Sequence, residues 1–435
     1  MERFQLKTAI SFGKDALAAL EVLNGQRVMV VTDDFLAKSG LLDQVLARLK
    51  GCTVETYTDV VPDPPLVMVA QGARKLANFK PQAVVAFGGG SSMDCAKAMV
   101  EFGKKMGAPG EIQVYAVPTT AGTGSEVTSF AVLTDSEKGV KYPLVDDSLL
   151  PHQAVLDPGF LKGVPPAVTA DTGMDVLAHA AEAYVANKAT VYTDALAEKA
   201  FTLAFHNLRP AFETARESEA KANMLLASNL AGMAFNAAGL GLCHGVSHAL
   251  GGRYHVPHGR LNAMLLPHVI AFNAAQKETA KKYARLAQLC GLSPTSRALV
   301  FGLNRLRGQL GQLLSGGEES VLAQRQRFQQ AMSQQAGHLR SLPGMGHLAA
   351  QVEEALAGFW QRTAVSRPQE LPAALKNREM LLTQRAMLSA MELTGAACGS
   401  RGSALLATQE GAPLPGLGIR YQPGDNSHRG DWVEP

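Results

Sequence analysis

Two pairs of residues have the spacing that places metal-binding groups on one side of a helix. Asp175 and His179 are four residues apart, His244 and His248 repeat that spacing, and His258 is expected in a Pro-His-Gly turn. Residues four apart on a helix share a face. Imidazoles combined with one carboxylate suit a divalent transition metal such as iron or zinc, and no cysteine has to take part. Taken alone, an Asp-x-x-x-His pair is more often a hydrogen bond on a helix surface, so the prediction of a metal site depends on the rest of the sequence.

Length and composition favour an enzyme of two or more domains. The chain has 435 residues, of which 46% are hydrophobic and 18% charged, with 42 glycines and a net charge of +3. No clustered Lys/Arg run predicts contact with nucleic acid or membrane, and no apolar stretch approaches the ~20 residues that span a bilayer. The start of the chain has no apolar segment typical of a secretory signal. The five cysteines form no Cys-x-x-Cys pair, which indicates reduced cytosolic thiols in packing roles.

The first 162 residues alternate short apolar runs with helical patterns, such as 66–78 and 93–103. This alternation predicts a Rossmann-like α/β domain with a mostly parallel sheet. A Pro-Asp-Pro-Pro run at 62–65 should end one strand and lead into a helix. The predicted strands are 27–33, 53–57, 83–87, 114–117 and 154–156.

Two segments after predicted strands are typical of nucleotide binding. Gly88, Gly89 and Gly90, here the glycine turn, end the run 83–87 and precede a helix, whose first N–H groups favour a phosphate. This turn lacks the G-x-G-x-x-G spacing, so a tight strand-to-helix turn without a ligand remains an equal alternative. Residues 118–128, here the hydroxyl loop, carry five Ser or Thr side chains and two glycines that suit a pyrophosphate or ribose.

Asp33 ends the first predicted strand, where a carboxylate accepts a hydrogen bond from an adenosine ribose and favours NAD over NADP. A simple cap of the following helix explains Asp33 equally well. From about residue 164 the pattern becomes helical, as in 193–205, 217–235, 246–250 and 277–289. The metal candidates fall in this part, and we expect them to face the nucleotide part across a cleft between domains.

Four motifs together resemble the iron-containing (group III) alcohol dehydrogenase family. They are the segments 88–97, 118–126 and 173–179 and the pair His244-Gly-Val-Ser-His and Pro257-His-Gly, in the family's order and spacing. The resemblance covers about residues 1–300. It implies a dehydroquinate synthase-like architecture, in which an α/β nucleotide domain precedes an all-α metal domain. It places the metal ligands on Asp175, His179, His244 and His258, and the nucleotide contacts on Asp33, Gly89, Gly90, Ser91, Asp94, Thr119, Thr120, Thr123 and Lys141.

The resemblance implies Fe(II), with zinc as an alternative, and NAD(H) as cofactors. Segments 61–64, 138–144 and 193–199 resemble the branch that acts on short-chain primary alcohols in propanediol-utilisation microcompartments, with propanal and NADH giving 1-propanol and NAD. His248 corresponds to a histidine near the nicotinamide, either a proton relay or a hydrogen-bond partner. The implied partners are a short-chain aldehyde or alcohol, a second copy or more of the chain, and microcompartment shell proteins, in a cytoplasmic setting. The alternatives are a glycerol or diol dehydrogenase and a non-catalytic homologue that serves as a binding component.

The last hundred residues depart from the family pattern. We predict the nucleotide domain at 1–162, the helical metal domain at 163–340, and an atypical extension at 341–435 that is partly helical and then coil. Residues 404–435 hold eight glycines or prolines before the final residue, which interrupt any long helix. We expect this tail to be an extended surface segment or a partner-binding segment outside the active site.

Overall fold

The computed structural model describes residues 4–135, 140–254, 256–314, 420–422 and 431–433. Contacts within the chain divide it into two compact units, residues 1–238 and 239–435. The predicted domain boundary at residue 162 lies inside the first unit and stays a prediction.

A six-stranded parallel sheet forms the centre of the first unit. The described strands of this unit are β1 (Ala9–Phe12), β2 (Arg27–Asp33), β3 (Thr53–Val60), β4 (Ala83–Gly88), β5 (Gln113–Pro118), β6 (Phe130–Asp135), β7 (Val140–Val145) and β8 (Gln153–Leu156). The sheet has the order β1-β8-β5-β4-β2-β3, and every pairing is parallel. The five predicted strands are confirmed. The short edge strand β1 was not predicted, because none of its four residues is buried.

Helices cover both faces of the sheet, as a parallel sheet requires. The helices of this part are α1 (Asp34–Lys38), α2 (Leu41–Leu46), α3 (Leu66–Phe79) and α4 (Gly90–Lys105). Successive side chains of β4 enter opposite cores: Val84 packs in a core with α3 and α4, whereas Val85 packs in one with α1 and α2. Both valines are fully buried. The fully buried strand β4 is therefore fixed in the middle of the sheet, and its carboxyl end carries the glycine turn.

An antiparallel hairpin of β6 and β7 follows the hydroxyl loop. Its register pairs Phe130 with Val145 and Thr134 with Lys141. The hairpin was not predicted, because its sequence lacks the two-residue turn signal of a tight hairpin. The side chain of Lys141 lies outside the described part of the structure.

Three long helices complete the first unit: α5 (Pro166–Val185), α6 (Val191–Phe212) and α7 (Glu219–Ala238). They pack against one another, and their contact faces are lined by alanine, leucine, methionine and phenylalanine. Thr190 and Thr193 form a capping box that starts α6. The helices predicted at 193–205 and 217–235 are confirmed.

The described part of the second unit begins with four helices. They are α8 (Leu242–Tyr254), α9 (His258–Asn273), α10 (Lys277–Leu289) and α11 (Ser296–Leu314). Short strands β9 (Arg420–Gln422) and β10 (Asp431–Val433) pair antiparallel within the tail that was predicted as coil. Most of the predicted extension lies outside the described residues. Among the described residues, no single helix is long and apolar enough to cross a membrane, although Glu219–Ala238 and Leu242–His248 taken together meet criteria of length and composition.

Candidate active site

The glycine turn joins the central strand β4 to the N-terminus of α4. Gly88 has φ +150°, and a Cβ there would lie 2.3 Å from the Ser92 hydroxyl. Gly89 is the N-cap of α4, and its carbonyl accepts the first helical hydrogen bond from Met93 at 3.2 Å. The N–H groups of Gly90 and Ser91 therefore belong to the first turn, where a helix leaves its N–H groups without helical partners. This is the backbone arrangement that binds a phosphate.

The hydroxyl loop packs directly on the glycine turn. Thr119 donates its backbone N–H to the Gly88 carbonyl at 2.9 Å. A Cβ on Gly90 would lie 2.6 Å from Thr123 Cγ2, and one on Gly89 would lie 3.4 Å from Thr120 Oγ1. The structure therefore brings together the predicted nucleotide residues of α4 with Thr119, Thr120 and Thr123, at the carboxyl ends of adjacent strands.

Asp94 joins the hydroxyl loop to strand β6 through its two carboxylate oxygens. Ser125 Oγ donates to one oxygen at 2.6 Å, and the Val132 N–H donates to the other at 3.0 Å. Burial raises the pKa of this carboxyl, while Lys97 and the two hydrogen bonds oppose the rise. Asp94 was predicted as a direct nucleotide contact, which stays a prediction. The contacts in the structure give it a position beneath the loop.

Lys97 is buried under the same loop, and sequence reasoning missed it. Its ammonium donates to the carbonyls of Ser125 and Thr128 at 2.9 and 3.1 Å and lies 3.8 Å from Asp94. Burial lowers its pKa to about 8, and the nearby carboxylates of Asp94 and Glu126 oppose that shift. The ammonium therefore holds two backbone carbonyls near the end of the loop in position. Its spacing three residues after Asp94 was the available signal.

Asp33 lies at the carboxyl end of β2 and is the N-cap of α1. Its Oδ1 accepts from the Leu36 N–H at 2.9 Å. The capping alternative is therefore confirmed. A ribose contact would use the other carboxylate oxygen and stays a prediction.

One half of the predicted metal set lies on α5 in the first unit. Asp175 and His179 are 4% and 5% exposed, and His179 Nε2 lies 3.9 Å from Asp175 Oδ1. The His179 ring stacks on Phe235 of α7 with centroids 4.5 Å apart and an interplanar angle of 26°. The predicted helix and its shared face are confirmed.

The other half, His244 and His258, lies in the second unit beside the candidate catalytic residue His248. His244 and His248 lie on α8, and His258 is the first residue of α9, with Pro257 as N-cap. The ring centroid of His258 is 5.3 Å from that of His244 and 4.7 Å from that of His248. His258 had been expected in a turn. Its position at the start of a helix follows from the preceding proline, which is compatible with a helix beginning but not with a helix interior.

Asn262 joins two of these imidazoles and was also missed. Its side-chain amide nitrogen lies 3.1 Å from Nε2 of both His244 and His258. The amide oxygen accepts from Ser247 and, at 3.4 Å, from the Cys243 thiol. Asn262 and Ser247 are fully buried, so this hydrogen-bonded cluster fixes both rings. Cys243 is a buried free thiol, as predicted.

The donor set fits iron. Within each unit the candidate ligands are adjacent, and Asp175, His179 and His244 are almost fully buried. Buried carboxylates and imidazoles are the nitrogen and oxygen ligands that iron and zinc accept. Such groups are costly to bury unless they are paired or coordinate an ion.

Comparisons with known proteins also indicate an iron-containing enzyme. The family model described as iron-containing alcohol dehydrogenase matches residues 7–158, and the C-terminal model of that family matches residues 169–304. A 1-propanol dehydrogenase, PduQ, from Citrobacter freundii is 45% identical over 307 residues, which cover 70% of this chain and 83% of that protein.

Two solved structures extend the likeness to the fold. The structure of a 1,3-propanediol oxidoreductase matches with a TM-score of 0.66 and 36% identity, over 72% of this chain and 87% of that one. The sulfoacetaldehyde reductase of Bifidobacterium kashiwanohense, solved in complex with NAD+, matches with a TM-score of 0.65 and 29% identity, over 74% and 91% of the two chains. The chain therefore belongs to the iron-containing alcohol dehydrogenase family and is an iron-dependent oxidoreductase of alcohols and aldehydes.

Proposed function

We propose that the chain reduces propanal with NADH to give 1-propanol and NAD, and that it also catalyses the reverse reaction. The observation that carries this proposal is the 45% identity to a 1-propanol dehydrogenase over 307 residues. When bound, NADH supplies a hydride and iron supplies a Lewis acid that polarises the substrate oxygen.

The nucleotide is held by the glycine turn and the hydroxyl loop. The N–H groups of Gly89, Gly90 and Ser91 receive the pyrophosphate at the start of α4. Thr119, Thr120 and Thr123 supply hydroxyls beside it, because the loop packs on the turn. Further contacts are assigned to Asp94 and Lys141.

NADH is preferred over NADPH because of Asp33. This carboxylate ends β2, beside the central strand that carries the glycine turn. The negative carboxylate of Asp33 would repel the 2′-phosphate of NADPH.

A single Fe(II), or zinc, takes its four ligands from Asp175, His179, His244 and His258. Support comes from the two halves of the set, each of which holds two of these side chains close together. Asn262 orients the two histidines of the second unit through its amide nitrogen. An orienting hydrogen bond of this kind fixes which nitrogen of each ring is available.

His248 moves the proton of the reaction. Its ring lies 4.7 Å from that of His258, and it shares a helix with His244. Histidine titrates near neutrality, so it can give a proton to the aldehyde oxygen as the hydride is transferred and take one from solvent. The alternative role is a hydrogen-bond partner that keeps a ligand ring in place.

We also propose where the chain acts, from the same likeness. We assign the chain to the cytoplasm and to the inside of a propanediol-utilisation microcompartment, as a homodimer or larger assembly that contacts shell proteins. Support is the likeness to the propanol enzyme alone.

A diol dehydrogenase is the second candidate. The structural likeness to a 1,3-propanediol oxidoreductase favours it. A non-catalytic homologue is a weaker candidate, because the chain carries all four residues proposed as metal ligands.

An anaerobic assay of the purified, Fe(II)-loaded chain separates these candidates. Propanal with NADH should give the highest kcat/KM, above glycerol or 1,3-propanediol with NAD and above propanal with NADPH. A higher kcat/KM for 1,3-propanediol would assign the diol reaction. An absence of turnover in protein that holds iron would favour the binding component.

A further inference from the structure

Helix α7 contacts the hydroxyl loop and the residue after it through one face. Asn229, Gly232 and Asn236 are spaced by three and four residues, so they lie on the same side of the helix. Asn236 Oδ1 accepts from the Ser129 N–H at 2.8 Å and from the Ser129 hydroxyl at 3.0 Å. Ser129 directly follows the loop, so two hydrogen bonds tie the end of the loop to the helix.

Asn229 holds the second half of the loop through Glu126. Its side-chain nitrogen donates to Glu126 Oε1 at 3.0 Å. Glu126 is 1% exposed, and burial raises the pKa of this carboxyl. A buried acid of this kind requires a donor, and the helix provides it.

Gly232 allows the helix and the loop to touch through their backbones. A Cβ on Gly232 would lie 2.7 Å from Val127 Cγ2 and 3.0 Å from Gly124 Cα. Gly124 has φ +63°, and a Cβ there would lie 2.7 Å from Gly232 Cα. Contact at this distance leaves no room for the loop to shift toward α7.

The same helix contacts a predicted metal ligand. Phe235, next to Asn236, stacks on His179 and lies 6.2 Å from the ring of Phe130 at the start of β6. One rigid element therefore touches the predicted nucleotide loop and the predicted metal half-site of the first unit.

We propose that α7 positions the hydroxyl loop for NAD(H), with Asn236 as the main positioning residue. This inference rests on the proposed function, because it takes the hydroxyl loop as a nucleotide contact. Packing alone would be satisfied by an apolar side chain at 236. Positioning requires the acceptor oxygen that holds both donors of Ser129.

The test measures NADH affinity in the metal-free full chain, so that iron does not contribute to the result. Asn236→Leu removes the acceptor, whereas Asn236→Asp keeps it. Loss of two hydrogen bonds of about 0.7 kcal/mol each should raise the dissociation constant of NADH about tenfold in Asn236→Leu. Asn236→Asp should stay within about threefold of wild type, and Asn223→Leu, a control on the same helix whose partner is Asn207, should match wild type. In iron-loaded enzyme, Asn236→Leu should raise the KM for NADH and leave kcat at saturating NADH nearly unchanged.

The outcomes distinguish the inference from the proposed function. Wild-type chain that does not bind NADH would refute the proposed cofactor, and the inference with it. Wild type that binds while Asn236→Leu binds equally well would overturn the inference alone. If Asn236→Leu fails to fold by circular dichroism, Gly232→Ala replaces it. Alanine favours a helix, so this variant should keep α7, while its new Cβ displaces the loop. Unchanged NADH affinity in Gly232→Ala would equally overturn the inference.

Discussion

Gly90→Ala should weaken NADH binding by pushing the hydroxyl loop away from the glycine turn. The new Cβ would lie 2.6 Å from Thr123 Cγ2, whereas carbon atoms in contact are about 3.5–4.0 Å apart. About 1 Å of movement is therefore required. Rotation of the Thr123 side chain moves Cγ2 but leaves Cβ of Thr123 at 3.2 Å from the new Cβ, so the backbone must move as well. Overpacking of this kind costs about 1–3 kcal/mol, and we expect a rise of about 5- to 150-fold in the KM for NADH.

Steady-state kinetics and NADH titration measure this effect, and two further variants control it. Gly308→Ala, on the exposed face of α11 with no atom within 4 Å of its Cβ, should leave NADH binding unchanged. Thr123→Ser in the Gly90→Ala background removes Cγ2 and keeps the hydroxyl, so part of the affinity should return. If Gly90→Ala binds NADH as wild type does, or if Thr123→Ser restores nothing, the close packing of loop and turn does not shape the nucleotide site.

The other predictions concern metal, cofactor choice, buried charge and the tail. His258→Ala should lose bound metal and activity together, and full metal occupancy by elemental analysis would refute its assignment. Asp33→Gly should gain NADPH activity relative to NADH, and an unchanged ratio of kcat/KM values would count against a ribose contact. Burial lowers the pKa of Lys97 to about 8, so the unfolded chain binds this proton more tightly than the folded chain does. The stability of wild type relative to Lys97→Met should therefore rise between about pH 8 and 10.5. Equal differences in melting temperature between the two proteins at these two pH values would contradict this. A chain that ends after Ala404 should keep propanal reduction within about tenfold, and a folded truncation that no longer binds NADH would show that the tail reaches the site.

The sheet and the helical region could be predicted from the sequence because their signals are local. Strand β4 is a run of apolar residues that ends at the glycine turn, and a continuous apolar run is typical of a fully buried strand. Asp175 and His179 were placed correctly because the four-residue spacing determines the shared face of a helix. Strand β1 and the β6–β7 hairpin were missed because a short edge strand and a hairpin without a tight-turn sequence carry little local signal.

The residues that hold the site together could not be found in this way. Lys97 and Asn236 act through backbone groups of Ser125, Thr128 and Ser129, which are close to them only in the folded chain. Asn262 lies four residues after His258, which is a recognisable spacing, but its contact with His244 depends on how α8 and α9 pack. Tertiary contacts of this kind leave no periodic pattern in one sequence.

The iron content of two variants, one from each half of the proposed ligand set, tests the central claim most directly. His179→Ala alters the half on α5, and His244→Ala alters the half on α8. If one ion takes ligands from both halves, wild type should bind one iron per chain, and each variant alone should lose that iron together with propanal reduction. Either variant that keeps one tightly bound iron and full activity would contradict a single shared site.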